Sequence, residues 1–167
     1  ADFVRGAFKA VAQYLSKKHS IVCEEVYRAM LRLLADNGRG RIFNDICGLY
    51  NLDEDTNNLV EIYRNAAPNI SLYEDAEHFL KYCQGKCKLG LITDGIHYVQ
   101  RNKIRLLGLE KYFDFIIVTD EHGENFCKPG IKPYVKMAEE LGTAFDEMIY
   151  IGDNPRKDFY GARKLGI

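Results

Sequence analysis

Apolar residues recur every three to four positions through the first third of the chain. Phe3, Ala7, Phe8, Val11, Ala12 and Leu15 form one stripe, and Val26, Met30, Leu33 and Leu34 form a second. That spacing puts each set on one face of a 3.6-residue helix. Asn37-Gly38 is the pair that usually ends such a helix in a left-handed cap. A third, shorter helix is predicted over residues 42–50. A fourth starts from Asp53 as N-cap, carries Glu54 and Asp55 in its first turn, and runs to about residue 66. Residues 1–67 contain no convincing strand and read as a small helical bundle.

Past Pro68 the pattern changes. Short apolar runs at 88–93, 114–119 and 148–151 are set between helical stretches at 73–83, 98–107 and 131–141, and a last helix starts after Pro155. Strands of four to six residues separated by helices of about ten mean βαβ units and a parallel sheet. The fold class is α/β: a small helical cap, residues 1–67, with a Rossmann-like core, residues 68–167.

Composition narrows the function. The chain has 167 residues, a net charge of −1 and a pI near 6.5. It has no basic footprint for nucleic acid and no polybasic membrane patch. No apolar run approaches the ~20 residues of a membrane span, and no signal peptide opens the sequence. Cys23, Cys47, Cys83, Cys87 and Cys127 are odd in number, and several fall in apolar patterns. Free thiols in a reducing cytoplasm fit better than disulfides. Cys83 and Cys87 stand four apart without a second pair at ligand spacing, so packed thiols are expected rather than a metal site.

Three stretches place polar residues where core strands end: Leu89-Gly-Leu-Ile-Thr-Asp-Gly95, Lys128-Pro-Gly130 and Ile149-Tyr-Ile-Gly-Asp-Asn-Pro-Arg-Lys-Asp158. In open α/β sheets ligands bind at the carboxyl ends of the strands. The Thr93 hydroxyl can donate to a phosphate oxygen, and Gly95 lets backbone N–H groups approach one. The Lys128 ammonium stabilises charge on a transferring phosphoryl group. Asp153 and Asp158 supply the hard oxygen ligands that Mg²⁺ requires. Each segment alone also reads as a turn with a cap. His97 and His122 adjoin these motifs without a visible third partner and read as loop residues.

In order and spacing these stretches resemble the second, third and fourth motifs of the haloacid dehalogenase superfamily. Position 94 is more often Asn in that family. The resemblance implies a Mg²⁺-dependent phosphatase acting on a small phosphorylated metabolite through an aspartyl-phosphate. Thr93 and Lys128 would be catalytic; Thr93, Asp94, Gly95 and Lys128 would hold phosphate; Asp153 would ligate the metal, and Asp158 would hold Lys128 or a metal-bound water. Gly152-Asp153 favours metal-dependent phosphatases over dehalogenases, which usually have Ser-Asn there. The helical cap looks like that of the group containing phosphoglycolate phosphatase, N-acylneuraminate-9-phosphatase and the pyrimidine nucleotidases. Arg39, Arg41 and Arg64 are candidates for gripping a substrate anion.

The family's first motif, an Asp-x-Asp closing a first core strand, has no counterpart at the end of an apolar strand here. In the family that strand lies between those of Thr93 and Asp153, so its loss leaves a gap of about 10 Å between two edges. The expectation is a core trimmed at both ends from a longer protein, and a segment that is inactive alone. A catalytically inactive binding module and a 2-haloacid dehalogenase are the alternatives for the parent protein.

Overall fold

The computed structural model describes residues 2–38 and 40–167. These form two compact units, one ending at Ile70 and the other running from Ser71 to Ile167.

The first unit is a four-helix bundle. Helix α1 (Asp2–His19) buries Phe3, Ala7, Phe8, Val11, Ala12 and Leu15, the stripe expected from the sequence. Asp2 opens it and Lys17, Lys18 and His19 close it, each charge complementing the helix dipole. Helix α2 (Cys23–Asn37) buries Val26, Ala29 and Met30, while Leu33 and Leu34 are only half-buried. Gly38 follows with φ 71°, and its N–H bonds to Leu34 O. Helix α3 (Ile42–Leu49) adds Ile42 and Ile46, and α4 (Thr56–Arg64) adds Leu59. Phe8, Phe43 and Tyr63 meet with ring centroids 5.7–6.2 Å apart, a spacing at which edge-to-face pairs are favourable. Helix α4 begins two residues later than the sequence suggests. Its cap is Asp55, which accepts from Asn57 N at 2.9 Å, rather than Asp53.

In the second unit, α5 (Glu74–Cys83) leads to β1 (Gly90–Thr93), α6 (His97–Leu106) to β2 (Phe115–Val118), and α7 (Lys132–Leu141) to an extended segment before α8 (Asp158–Leu165). Strands β1 and β2 are parallel, with Gly90 opposite Phe115 and Thr93 opposite Val118. Their inward residues Ile92 and Ile117 pack with Tyr134, Met137 and Leu141 of α7 and Ala162 of α8. Gly90 has no room for a side chain because the Met137 sulfur lies where a Cβ would stand.

One expected strand is not paired. Residues 148–151 alternate as a strand should: Met148 and Tyr150 pack on the core, whereas Ile149 and Ile151 are 89% and 71% exposed. The segment has strand-like patterning but no ladder partner among the described residues, whose sheet has two strands. Between it and β1 runs a largely apolar groove of about 500 Å³, lined by Gly90, Ile92, Ile149 and Ile151 among others.

Candidate active site

The loops leaving β1 and β2 converge with the turn before α8. At the end of β1, the Asp94 carboxylate turns across to β2. Its Oδ1 accepts the Thr119 hydroxyl at 3.0 Å and the Lys128 backbone N–H at 3.3 Å. Its Oδ2 is buried and has no hydrogen-bond partner. A buried carboxylate oxygen without a donor is costly, so this atom marks a place where a donor or cation would be held.

Lys128 and Asp158 form the most enclosed ion pair of this unit, Nζ to Oδ1 2.7 Å, with side chains 12% and 5% exposed. Tyr150 OH sits 3.2 Å from the same Nζ. The second Asp158 oxygen accepts Asn154 N at 2.8 Å. Burial pushes the Asp158 carboxyl upward, but the Lys128 hydrogen bond and charge and the backbone donors of Asn154 and Asp153 outweigh it. The group is held below the ordinary 3.8. Gly152 is required for this packing: a Cβ there would stand 2.6 Å from the Asp158 Cβ. Tyr134 ties the same helix start to α7, its hydroxyl donating to Asp158 O at 2.7 Å.

The structure thus brings Asp94, Lys128 and Asp158 into one connected network. Asp153 is exposed on the turn that supports it. The Thr93 hydroxyl is donated to Gln100 Oε1 at 3.1 Å, and Gly95, at φ 118°, makes the bend over that glutamine amide. His97 lies on Asp120 (Nδ1 to Oδ2 3.0 Å), and His122 stacks on Phe126. In the helical unit Arg64 pairs with Glu61 at 3.1 Å and lines a small cavity of about 230 Å³, Arg41 is exposed, and Arg39 lies outside the described residues. The chain's one Asp-x-Asp, Asp53-Glu54-Asp55, stands before α4. Asp55 caps that helix, and Glu54 is buried against His19 and Lys18.

Two contributors escape motif reading. Thr119 directly follows the four apolar residues of β2, much as Thr93 closes β1, so the strand-end rule would have found it. Tyr150 is concealed by the alternation of its own segment, where it reads as a core residue.

Among the described residues no group of three or more His, Cys, Asp and Glu side chains is placed to hold a metal ion. The arrangement fits an ion that takes one or two protein carboxylates and completes its shell with phosphate and water, as Mg²⁺ does.

Two parallel strands, with a buried lysine–aspartate pair and an exposed acid in the loops beyond them, form a site of the kind α/β folds build at their strand ends. The chain belongs to the haloacid dehalogenase-like hydrolase family, whose model matches residues 6–167. It is 28% identical to a glyceraldehyde 3-phosphate phosphatase of Methanocaldococcus jannaschii over all of this chain and 76% of that protein. It is 32% identical to a phosphoserine phosphatase of Thermus thermophilus over 65% of this chain. That match spans only 43% of the Thermus protein's length. Among solved structures, a phosphatase of the same superfamily from Thermococcus onnurineus aligns with a TM-score of 0.55 at 30% identity, covering 96% of this chain and 74% of that one. The fold is therefore the Rossmann-like α/β fold of this family.

Proposed function

We propose that the protein is a Mg²⁺-dependent phosphomonoesterase acting on a small phosphorylated metabolite. The observation that carries this reading is the convergence of Asp94, Lys128 and Asp158 at the carboxyl ends of β1 and β2. Phosphatase relatives support the reaction class.

Lys128 places its ammonium beside the phosphoryl oxygens and offsets their charge as the ester bond breaks. Asp158 and Tyr150 hold that ammonium in place, so little reorganisation is needed at the moment of reaction. Both Asp158 oxygens are already engaged, which gives Asp158 the role of positioning Lys128 and makes the exposed Asp153, rather than Asp158, the carboxylate of this turn that would ligate the metal. Asp153 would hold Mg²⁺, which would supply neutralisation of the phosphate charge when bound. Thr93 and Gly95 complete the phosphate cradle once Gln100 yields the Thr93 hydroxyl. The attacking aspartate of the aspartyl-phosphate route comes from an Asp-x-Asp at a strand end, a place that Asp53-Glu54-Asp55 does not occupy. The helical unit selects the substrate, as in the small-cap phosphatases. Five free cysteines support a cytoplasmic setting, and no described helix is long and apolar enough to cross a membrane.

A panel of phosphate monoesters offered to the full-length protein, with and without Mg²⁺, tests the proposal by phosphate release. Metal-stimulated turnover that falls about 100-fold or more in Asp153→Asn at limiting Mg²⁺ is expected. Turnover indifferent both to Mg²⁺ and to Asp153→Asn would overturn it.

A further inference from the structure

Helix α5 ends at Cys83, and the chain then makes one tight turn that returns Cys87 over it. Gln84 N closes the helix on Leu80 O, and Lys86 N and Cys87 N both bond to Cys83 O at 3.0 and 3.2 Å. Gly85 takes φ 72° with nothing within 4 Å of where its Cβ would be. It is there for its left-handed backbone, not for lack of space. The Cys87 sulfur lies 3.7 Å from the Cys83 carbonyl, so the backbone turn and the side chain both bring Cys87 onto the residue that ends the helix. No hydrogen bond joins Cys23, Cys47 or Cys127 to another cysteine among the described residues.

We infer that Cys83 and Cys87 form a reversible dithiol–disulfide site that reacts with hydroperoxides. The exposures assign the order of events. Cys87 is exposed and meets the oxidant, whereas Cys83 is 7% exposed. Burial, then the neighbouring Cys87, pushes the Cys83 thiol upward, so it is a poor first nucleophile. The Cys87 thiolate attacks the peroxide's terminal oxygen, the O–O bond breaks, and Cys87 becomes a sulfenic acid; the expelled oxygen takes up the proton that the thiol lost and leaves as water from hydrogen peroxide or as an alcohol from an organic hydroperoxide. Cys83 sulfur then attacks the sulfenic sulfur, its proton leaves with the hydroxyl as water, and the S–S bond forms. Two thiols lose two electrons and the peroxide gains them. Both residues line the groove beside β1, so oxidation changes one wall of it.

The test is to expose the reduced, folded chain to hydrogen peroxide, block remaining thiols by alkylation, digest, and weigh the peptides. The expected product is a Cys83–Cys87 peptide lighter by two hydrogens, unalkylated, and restored by dithiothreitol. In Cys87→Ser, an exposed and mild substitution, Cys83 should stay a free thiol under the same treatment. In Cys83→Ser, Cys87 should accumulate as a sulfenic acid trapped by dimedone. Oxidation of wild-type Cys87 to sulfinic acid with Cys83 still alkylated would overturn the inference. So would a bond from Cys87 to Cys127, or a Cys83–Cys87 bond formed only in the denatured chain.

Discussion

Replacing Lys128 with Met removes the ammonium but keeps most of the aliphatic stem that packs in the site. The cost falls on Asp158, which keeps the Asn154 backbone donor but loses a cation at 2.7 Å while its side chain is 5% exposed. Breaking one side of a buried pair typically costs about 3–5 kcal/mol. The retained backbone N–H bonds favour the low end, about 3 kcal/mol, which corresponds to roughly 150-fold in an opening equilibrium. Hydrogen exchange on peptides covering 152–165 reads that opening directly. It should accelerate by about this factor, with peptides from the helical unit unchanged.

Acidification supplies an internal control. Asp158 is held below its ordinary 3.8, so its contribution is present above that value and is lost as pH falls through the folded value. The difference between wild type and Lys128→Met should therefore be full near neutrality and narrow at the acid end. A change under about fivefold at neutral pH, where removing one partner of a buried pair should have a large effect, would refute the view that this pair organises the site. A difference that grew on acidification would do the same.

Two further substitutions test neighbouring claims. Gly152→Ala should displace Asp158, since the new methyl meets its Cβ at 2.6 Å and its Cγ at 2.8 Å; a loss of about 1–3 kcal/mol in the same exchange assay is expected, and wild-type protection would contradict it. Glu54→Gln should lower the thermal stability of the helical unit near pH 7, followed by far-UV circular dichroism. Burial raises Glu54, but His19 and then Lys18 hold it below 4.5, so its stabilisation is present above that value and the deficit should vanish as pH falls through the folded value.

Periodicity made the elements legible where each is held by its own apolar face. The α1 stripe, the alternation of helix and strand after residue 70, and the three strand-end motifs are all local properties of the chain. What the sequence concealed depends on partners. Residues 148–151 have strand patterning, but a strand is also a set of hydrogen bonds to a neighbour, and Ile149 and Ile151 face outward without one. Capping was misplaced by two residues because Asp53 and Asp55 are equivalent in propensity; Asp55 is the one whose carboxylate reaches a free N–H two residues on. Tyr150 was hidden because a tyrosine in a core strand reads as volume, and only its neighbours show that its hydroxyl has a task.

Asp153 and Asp158 show how one turn gives two identical side chains different roles. Asp153 leaves its carboxylate in solvent, where binding a hydrated cation displaces little. Asp158, five residues on, is carried under Gly152 into a nearly closed site. There a bare carboxylate is unfavourable unless a cation and backbone donors answer it, and Lys128, Asn154 and Asp153 do so. Those partners hold Asp158 on the Lys128 ammonium, and the Lys128 backbone N–H in turn donates to Asp94 Oδ1. Exchanging the two environments would leave Lys128 without its buried partner and would bury the acid proposed to meet the metal, so the proposed site depends on this turn keeping one acid exposed and the other enclosed.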